Sequence, residues 1–170
     1  MPHDTSIIFG VAVPSVDPVF LAVVRFHIVV GIVVVVTGAT AMLRGRHSTA
    51  GTVYYWSLAI IGATATELSL VRWEEDYHLF LLGTLSLIAA TIGRTALRHR
   101  WRNWVRLHIS GMGLSYVLML TAFYVDNGKN LPLWRELPQW AFWVLPTVLG
   151  LPIVVYAVLW HPRVRQRAPS

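Results

Sequence analysis

At 170 residues, 55% of them hydrophobic and only 13% charged, the chain lies outside the composition of soluble domains and inside that of membrane proteins. Its net charge of +6 rests on thirteen arginines and one lysine gathered in short clusters between apolar runs, with no basic patch interleaved with aromatic residues, which excludes a nucleic-acid surface. Cysteine is absent, so disulfides, iron–sulfur clusters, thiolate nucleophiles and cysteine-held zinc are excluded together, and any metal must be held by His, carboxylate or Met.

The amino-terminal stretch MPHDTSIIFGVAVP lacks a basic leader and its apolar part is short, so it does not read as a cleaved signal peptide. Crossing the hydrocarbon core takes about 20 apolar residues. That ruler predicts five spans, at about 19–43, 52–71, 79–97, 105–125 and 140–160. The expected fold is a single all-α membrane domain, an antiparallel four-helix bundle with one peripheral helix. The peripheral helix is the fifth, which carries Pro146 and Pro152 and should bend at them.

Charge orients these spans. Arg44 and Arg46 follow the first; Arg98, Arg100 and Arg102 follow the third; Arg163, Arg165 and Arg167 follow the fifth; no acid lies among them. Asp4, Asp17, Glu74, Glu75, Asp76, Asp126 and Glu136 fall in the opposite segments. The positive-inside rule then puts the amino terminus outside and the carboxyl terminus in the cytoplasm. Most of the tryptophans lie near span ends, as an interfacial aromatic belt requires.

Histidine at membrane depth is costly unless hydrogen-bonded or ligated, which makes each such residue a functional candidate. His27 and His78 fall toward the outer side, on the first and third spans. His47 and His108 fall toward the inner side, on the second and fourth. In an antiparallel bundle with short loops these are two diagonals, and two diagonal histidines at one level can ligate opposite faces of a haem b. At 100° per residue, His27, Gly31 and Gly38 lie within about 40° of one another. On the fourth span His108, Met112, Ser115, Met119 and Ala122 share a face flanked by Gly111 and Gly113, small residues that suit either a cofactor groove or helix packing. His161, before Pro162, is a reserve inner ligand. Arg25 and Arg72 are placed to meet haem propionates, and Glu67 is either a proton-relay carboxylate or the partner of Arg25 or Arg72.

This alternating pattern of His27, His47, His78 and His108 resembles the transmembrane two-haem cytochromes of the ascorbate- and quinol-linked type. The segments from His47 to Tyr55 and from Arg106 to Gly128 also look like a family of predicted bacterial integral membrane proteins, a resemblance that brings no established activity and implies the bacterial inner membrane as the location. The first resemblance implies haem b, one or two, an oxidoreductase role in electron transport, and quinone, quinol or a small reductant as partner. His27 and His47 are 20 residues apart, about 30 Å along a continuous helix, which strains the fit of two buried haems. Two rival expectations stand beside it. One is a zinc-dependent hydrolase using His27, His78, Glu67 and Asp76 near the outer face. The other is a non-enzymatic membrane scaffold, with a second copy of the chain as a candidate partner.

Overall fold

The computed structural model describes residues 6–8, 11–13, 17–43, 48–132, 134–160 and 162–165. Asp4, Arg44, Arg46, His47, His161 and Arg167, all used in the sequence reading, lie outside the described residues. Two short strands, β1 (Ser6–Ile8) and β2 (Val11–Val13), pair antiparallel with Ile7 opposite Ala12. This small ladder was not expected from an all-α reading; its β-branched residues favour the pleated backbone. The remaining regular elements among the described residues are helices.

Helix α1 (Pro18–Leu43) begins where Asp17 accepts hydrogen bonds through Oδ1 from the amides of Val19 (2.7 Å) and Phe20 (3.0 Å), with Pro18 at the first helical position. Within its apolar run Thr37 and Thr40 donate back to the carbonyls of Val33 and Val36, which hides their hydroxyls. Helix α2 (Ser48–Val71) starts four residues before the expected 52. It packs antiparallel on α1: Gly31 faces Ile61, and Val34, Tyr54 and Leu58 are buried.

A single residue, Arg72, separates α2 from α3 (Trp73–His99). Helix α3 begins six residues earlier than the hydropathy ruler predicts. Glu74, Glu75 and Asp76 fill its first turn, where the helix dipole favours negative charge. His78 therefore sits in the second turn of α3 rather than at its start.

The chain divides into two compact units: residues 1–81 with 127–136, and residues 82–126 with 137–170. In the second, α3 and α4 (Trp104–Asn127) meet through small residues. Ser86, Ala89, Ala90, Gly93 and Ala96 form the buried stripe of α3, and Ser86 donates to the carbonyl of Ser115 at 2.7 Å. At Gly111 the backbones touch, since a Cβ there would lie 2.6 Å from the Ala89 carbonyl oxygen and 2.8 Å from Gly93 Cα. Helix α5 (Gln139–Trp160) docks on α4 by reciprocal insertion, with Val154 over Gly113 and Val117 over Gly150. Pro146 and Pro152 lie inside α5 as expected. A four-residue helix, α6 (Pro162–Arg165), packs Val164 among Ala96, Trp104 and Val105.

Four helical segments, Pro18–Leu43, Trp73–His99, Trp104–Asn130 and Gln139–Trp160, are long and apolar enough to cross a membrane. The 24-residue α2 has the length, but its Ser and Thr content and Glu67 lower its hydropathy. Large apolar side chains remain outward, among them Val148 (60% exposed), Ile153 (66%) and Tyr156 (67%) on α5. A face of that kind is unfavourable in water and suited to lipid.

Candidate functional site

His27 lies ten residues into α1 and is held against α2. Its Nδ1 is hydrogen-bonded to the Thr64 hydroxyl at 2.8 Å, and the same hydroxyl lies 3.2 and 3.1 Å from the carbonyls of Ile60 and Ile61. His108 lies one turn into α4, as the sequence predicts. Its Nδ1 is 3.1 Å from the Gly93 carbonyl. A carbonyl only accepts, so Nδ1 carries the proton. In both residues an oxygen of the neighbouring helix orients the ring, and in His108 the basic lone pair is on Nε2. This is the tautomer that a metal-ligating histidine uses.

The glycines next to these histidines have a structural use. Gly31 receives Ile61 Cδ1, Gly111 receives the backbone of Gly93, and Gly113 receives a Val154 methyl. The close Gly93–Gly111 approach is also what brings the Gly93 carbonyl within reach of His108. Of the two expectations for these small residues, helix packing is therefore the one realised at Gly31, Gly111 and Gly113.

His78 is half-buried, with its ring edge-on to Tyr77 at 5.8 Å between centroids. Arg72 forms ion pairs with Glu75 and, at 3.7 Å, with Asp76; it is not paired with Glu67. Arg25 and Glu67 are exposed, and Glu67 has no ion pair or hydrogen bond among the described residues. Glu67 and Arg72 instead share a cleft of about 310 Å³ with Asp17, Val19, Phe20, Val23, Leu68 and Val71. The cleft lies at the Asp17 end of the α1–α2 pair. Val23 and Leu68 are each one turn from the His27–Thr64 bond, so the cleft leads toward it.

Among the described residues no three His, Asp or Glu side chains come together as a metal-binding group, and the four residues of the hydrolase expectation, His27, His78, Glu67 and Asp76, do not assemble. Thr64 and the Gly93 carbonyl were missed by the sequence reading. For Gly93 a signal existed in the small-residue spacing Ala89, Gly93, Ala96. For Thr64 there was none, because its role depends on the register of α1 against α2. The chain matches no protein-family model, no curated protein and no solved structure.

Proposed function

We propose that the chain is a five-helix protein of the bacterial inner membrane that binds haem b through histidine Nε2 atoms and transfers electrons. The observation that carries this reading is the shared state of His27 and His108. Each ring is hydrogen-bonded through Nδ1 to an oxygen of the adjacent helix, which fixes ring orientation and leaves Nε2 as the nitrogen that would ligate iron. In the arrangement we propose, α1 to α4 form an antiparallel bundle, His27 and His78 serve an outer haem, and His47 and His108 an inner one.

The haem, when bound, supplies the one-electron chemistry of its iron. The residues around it do the rest. Apolar side chains would exclude water, Arg25 would offer its guanidinium to a propionate, and Arg72 would do so on exchanging Glu75 and Asp76 for it. Glu67, a carboxylate on the wall of the cleft it shares with Asp17 and Arg72, would take up the proton that a quinol or small reductant releases on giving its electrons to the haem.

The five-span topology rests on charge. Arg44 and Arg46 share a side with Arg98–Arg106 and Arg163–Arg167 only if α2 crosses the bilayer, and that crossing puts the amino terminus outside. The test of the haem reading is optical. Protein expressed with ample haem precursor and reduced with dithionite should show Soret and α bands, and His27→Ala and His108→Ala should each diminish or shift them. A reduced spectrum without those bands ends this reading.

A second reading is a non-enzymatic membrane subunit, favoured by the backbone contact at Gly93 and Gly111, which is a helix-association device in its own right. It expects wild type and every His→Ala variant to purify alike with neither haem nor metal.

A further inference from the structure

The end of the second unit formed by the α3–α4 turn and α6 concentrates positive charge without compensation. Arg98, Arg100, Arg102 and Arg106 are all exposed there. Val164, only 6% exposed among Ala96, Trp104 and Val105, brings the helix that carries Arg163 and Arg165 to the same end. The sole side-chain carboxylate in residues 82–126 and 137–170 is Asp126, which lies 20 residues beyond Arg106 along α4. That is about 30 Å away, too far to neutralise the cluster.

Helix stability does not explain this arrangement. Arg98 and His99 suit the carboxyl end of α3, but Arg102 and Arg106 flank the amino end of α4, where the dipole favours an anion and no acid is present. The turn itself is built unusually. Trp101 N–H bonds to the Ala96 carbonyl at 3.3 Å, closing α3 with the motif that normally places glycine at the position of Arg100. Arg100 instead adopts φ 51°, and its guanidinium lies 4.2 Å from the Trp104 ring centroid. A non-glycine residue held in this conformation points to a use for its side chain. Here the left-handed backbone and the Trp104 face together hold the Arg100 guanidinium against the start of α4. Trp101, 44% exposed, stands beside it as an interfacial residue would.

We infer that this end is a binding site for the phosphodiester headgroup of an anionic phospholipid, with Arg98, Arg100, Arg102 and Arg106 as the headgroup ligands and Trp101 seated at the glycerol level. The inference rests on the membrane part of the proposed function, not on the haem. A lipid is the fitting occupant because outward apolar side chains on the same helices, such as Ile88 and Ile92 of α3, would meet its acyl chains. The planar guanidinium fork matches phosphate oxygens in pairs. Each arginine near an anionic surface contributes on the order of fivefold to partitioning.

The full chain is reconstituted in nanodiscs of phosphatidylcholine alone or with phosphatidylglycerol, then released into detergent and weighed by native mass spectrometry. Retained phosphatidylglycerol in preference to phosphatidylcholine is expected. At least a tenfold loss is expected in the fourfold variant Arg98→Gln, Arg100→Gln, Arg102→Gln, Arg106→Gln. Should that variant fail to fold, Arg100→Gly, which relieves the backbone, carries the test alone and should lower retention several-fold. Equal retention by wild type and the folded variant, or no preference for the anionic lipid, overturns the inference. Displacement of the lipid by millimolar inorganic phosphate also overturns it, since the site would then be a plain anion site. Failure to enter nanodiscs of either composition overturns the membrane reading instead, which keeps the two apart.

Discussion

Two hydrogen bonds of similar form orient the histidines, and their weights differ by context. Replacing Thr64 by Val removes the hydroxyl bonded to His27 while keeping the shape. Interhelical hydrogen bonds in membrane proteins are worth about 0.6 kcal/mol and rarely more than about 1.7. Thr64→Val is therefore expected to destabilise by about 1 kcal/mol in a denaturation series. If His27 ligates iron, the same change should shift the haem midpoint potential or reduced spectrum, because the ring loses the hydrogen bond that orients it. An unchanged spectrum in a haem-loaded Thr64→Val protein would remove His27 from the ligand set. Arg100 invites the opposite kind of change. The left-handed conformation costs about 1–2 kcal/mol for a residue with a Cβ, and the stacking on Trp104 returns about 0.5–1 kcal/mol at an exposed site. Arg100→Gly should leave thermal stability unchanged or raise it by up to about 1 kcal/mol, and a marked loss would mean that the side chain has a larger packing role.

At the scale of elements, α3 and α4 are held by backbone approach, while α4 and α5 are held by valines seated on glycines. A methyl at Gly111 would meet the Ala89 carbonyl oxygen at 2.6 Å, and backbone cannot yield as a side chain can. Gly111→Ala should cost about 1–3 kcal/mol, the usual range for overpacking, and should also move the Gly93 carbonyl away from His108. The α4–α5 contact is more forgiving. A methyl at Gly113 would meet Val154 Cγ2 at 2.5 Å, so Gly113→Ala should destabilise by a similar amount, and Val154→Ala in the same chain should recover most of the loss. Absence of that recovery would mean that the α4–α5 docking differs from the one described. Helix ends carry a related lesson. Hydropathy located α1 and α4 within about one residue at their starts, because Asp17–Pro18 and Trp104 mark abrupt changes in composition. It placed the start of α3 six residues late, because Glu74, Glu75 and Asp76 look like loop to a hydropathy ruler while they stabilise a first helical turn.

For the whole molecule the open quantity is how many times the chain crosses the bilayer, and α2 decides it. The chain has no cysteine, so single introduced thiols report sidedness without background. Labelling Thr49→Cys and Glu74→Cys with a membrane-impermeant maleimide in intact cells and inverted vesicles should place them on opposite sides, with Glu74→Cys reached from outside. Labelling of both from one side would reduce the protein to four crossings and undo the layer assignment of the histidines.

Composition and charge alone carried the helical class, the approximate extents of five helices, the interior prolines of α5 and the depth of His108 one turn into α4, because each depends only on residues close in the chain. They could not choose between a cofactor groove and a packing seam at Gly31, Gly111 and Gly113, nor find Thr64 and the Gly93 carbonyl as the partners of His27 and His108. Those facts depend on which atoms of a second helix lie opposite, and inter-helix register is set by the mutual fit of small residues and valines across α1–α2, α3–α4 and α4–α5. A single helix cannot encode its neighbour's position, so only the tertiary structure decided what the glycines are for and which oxygen orients each of these two histidines.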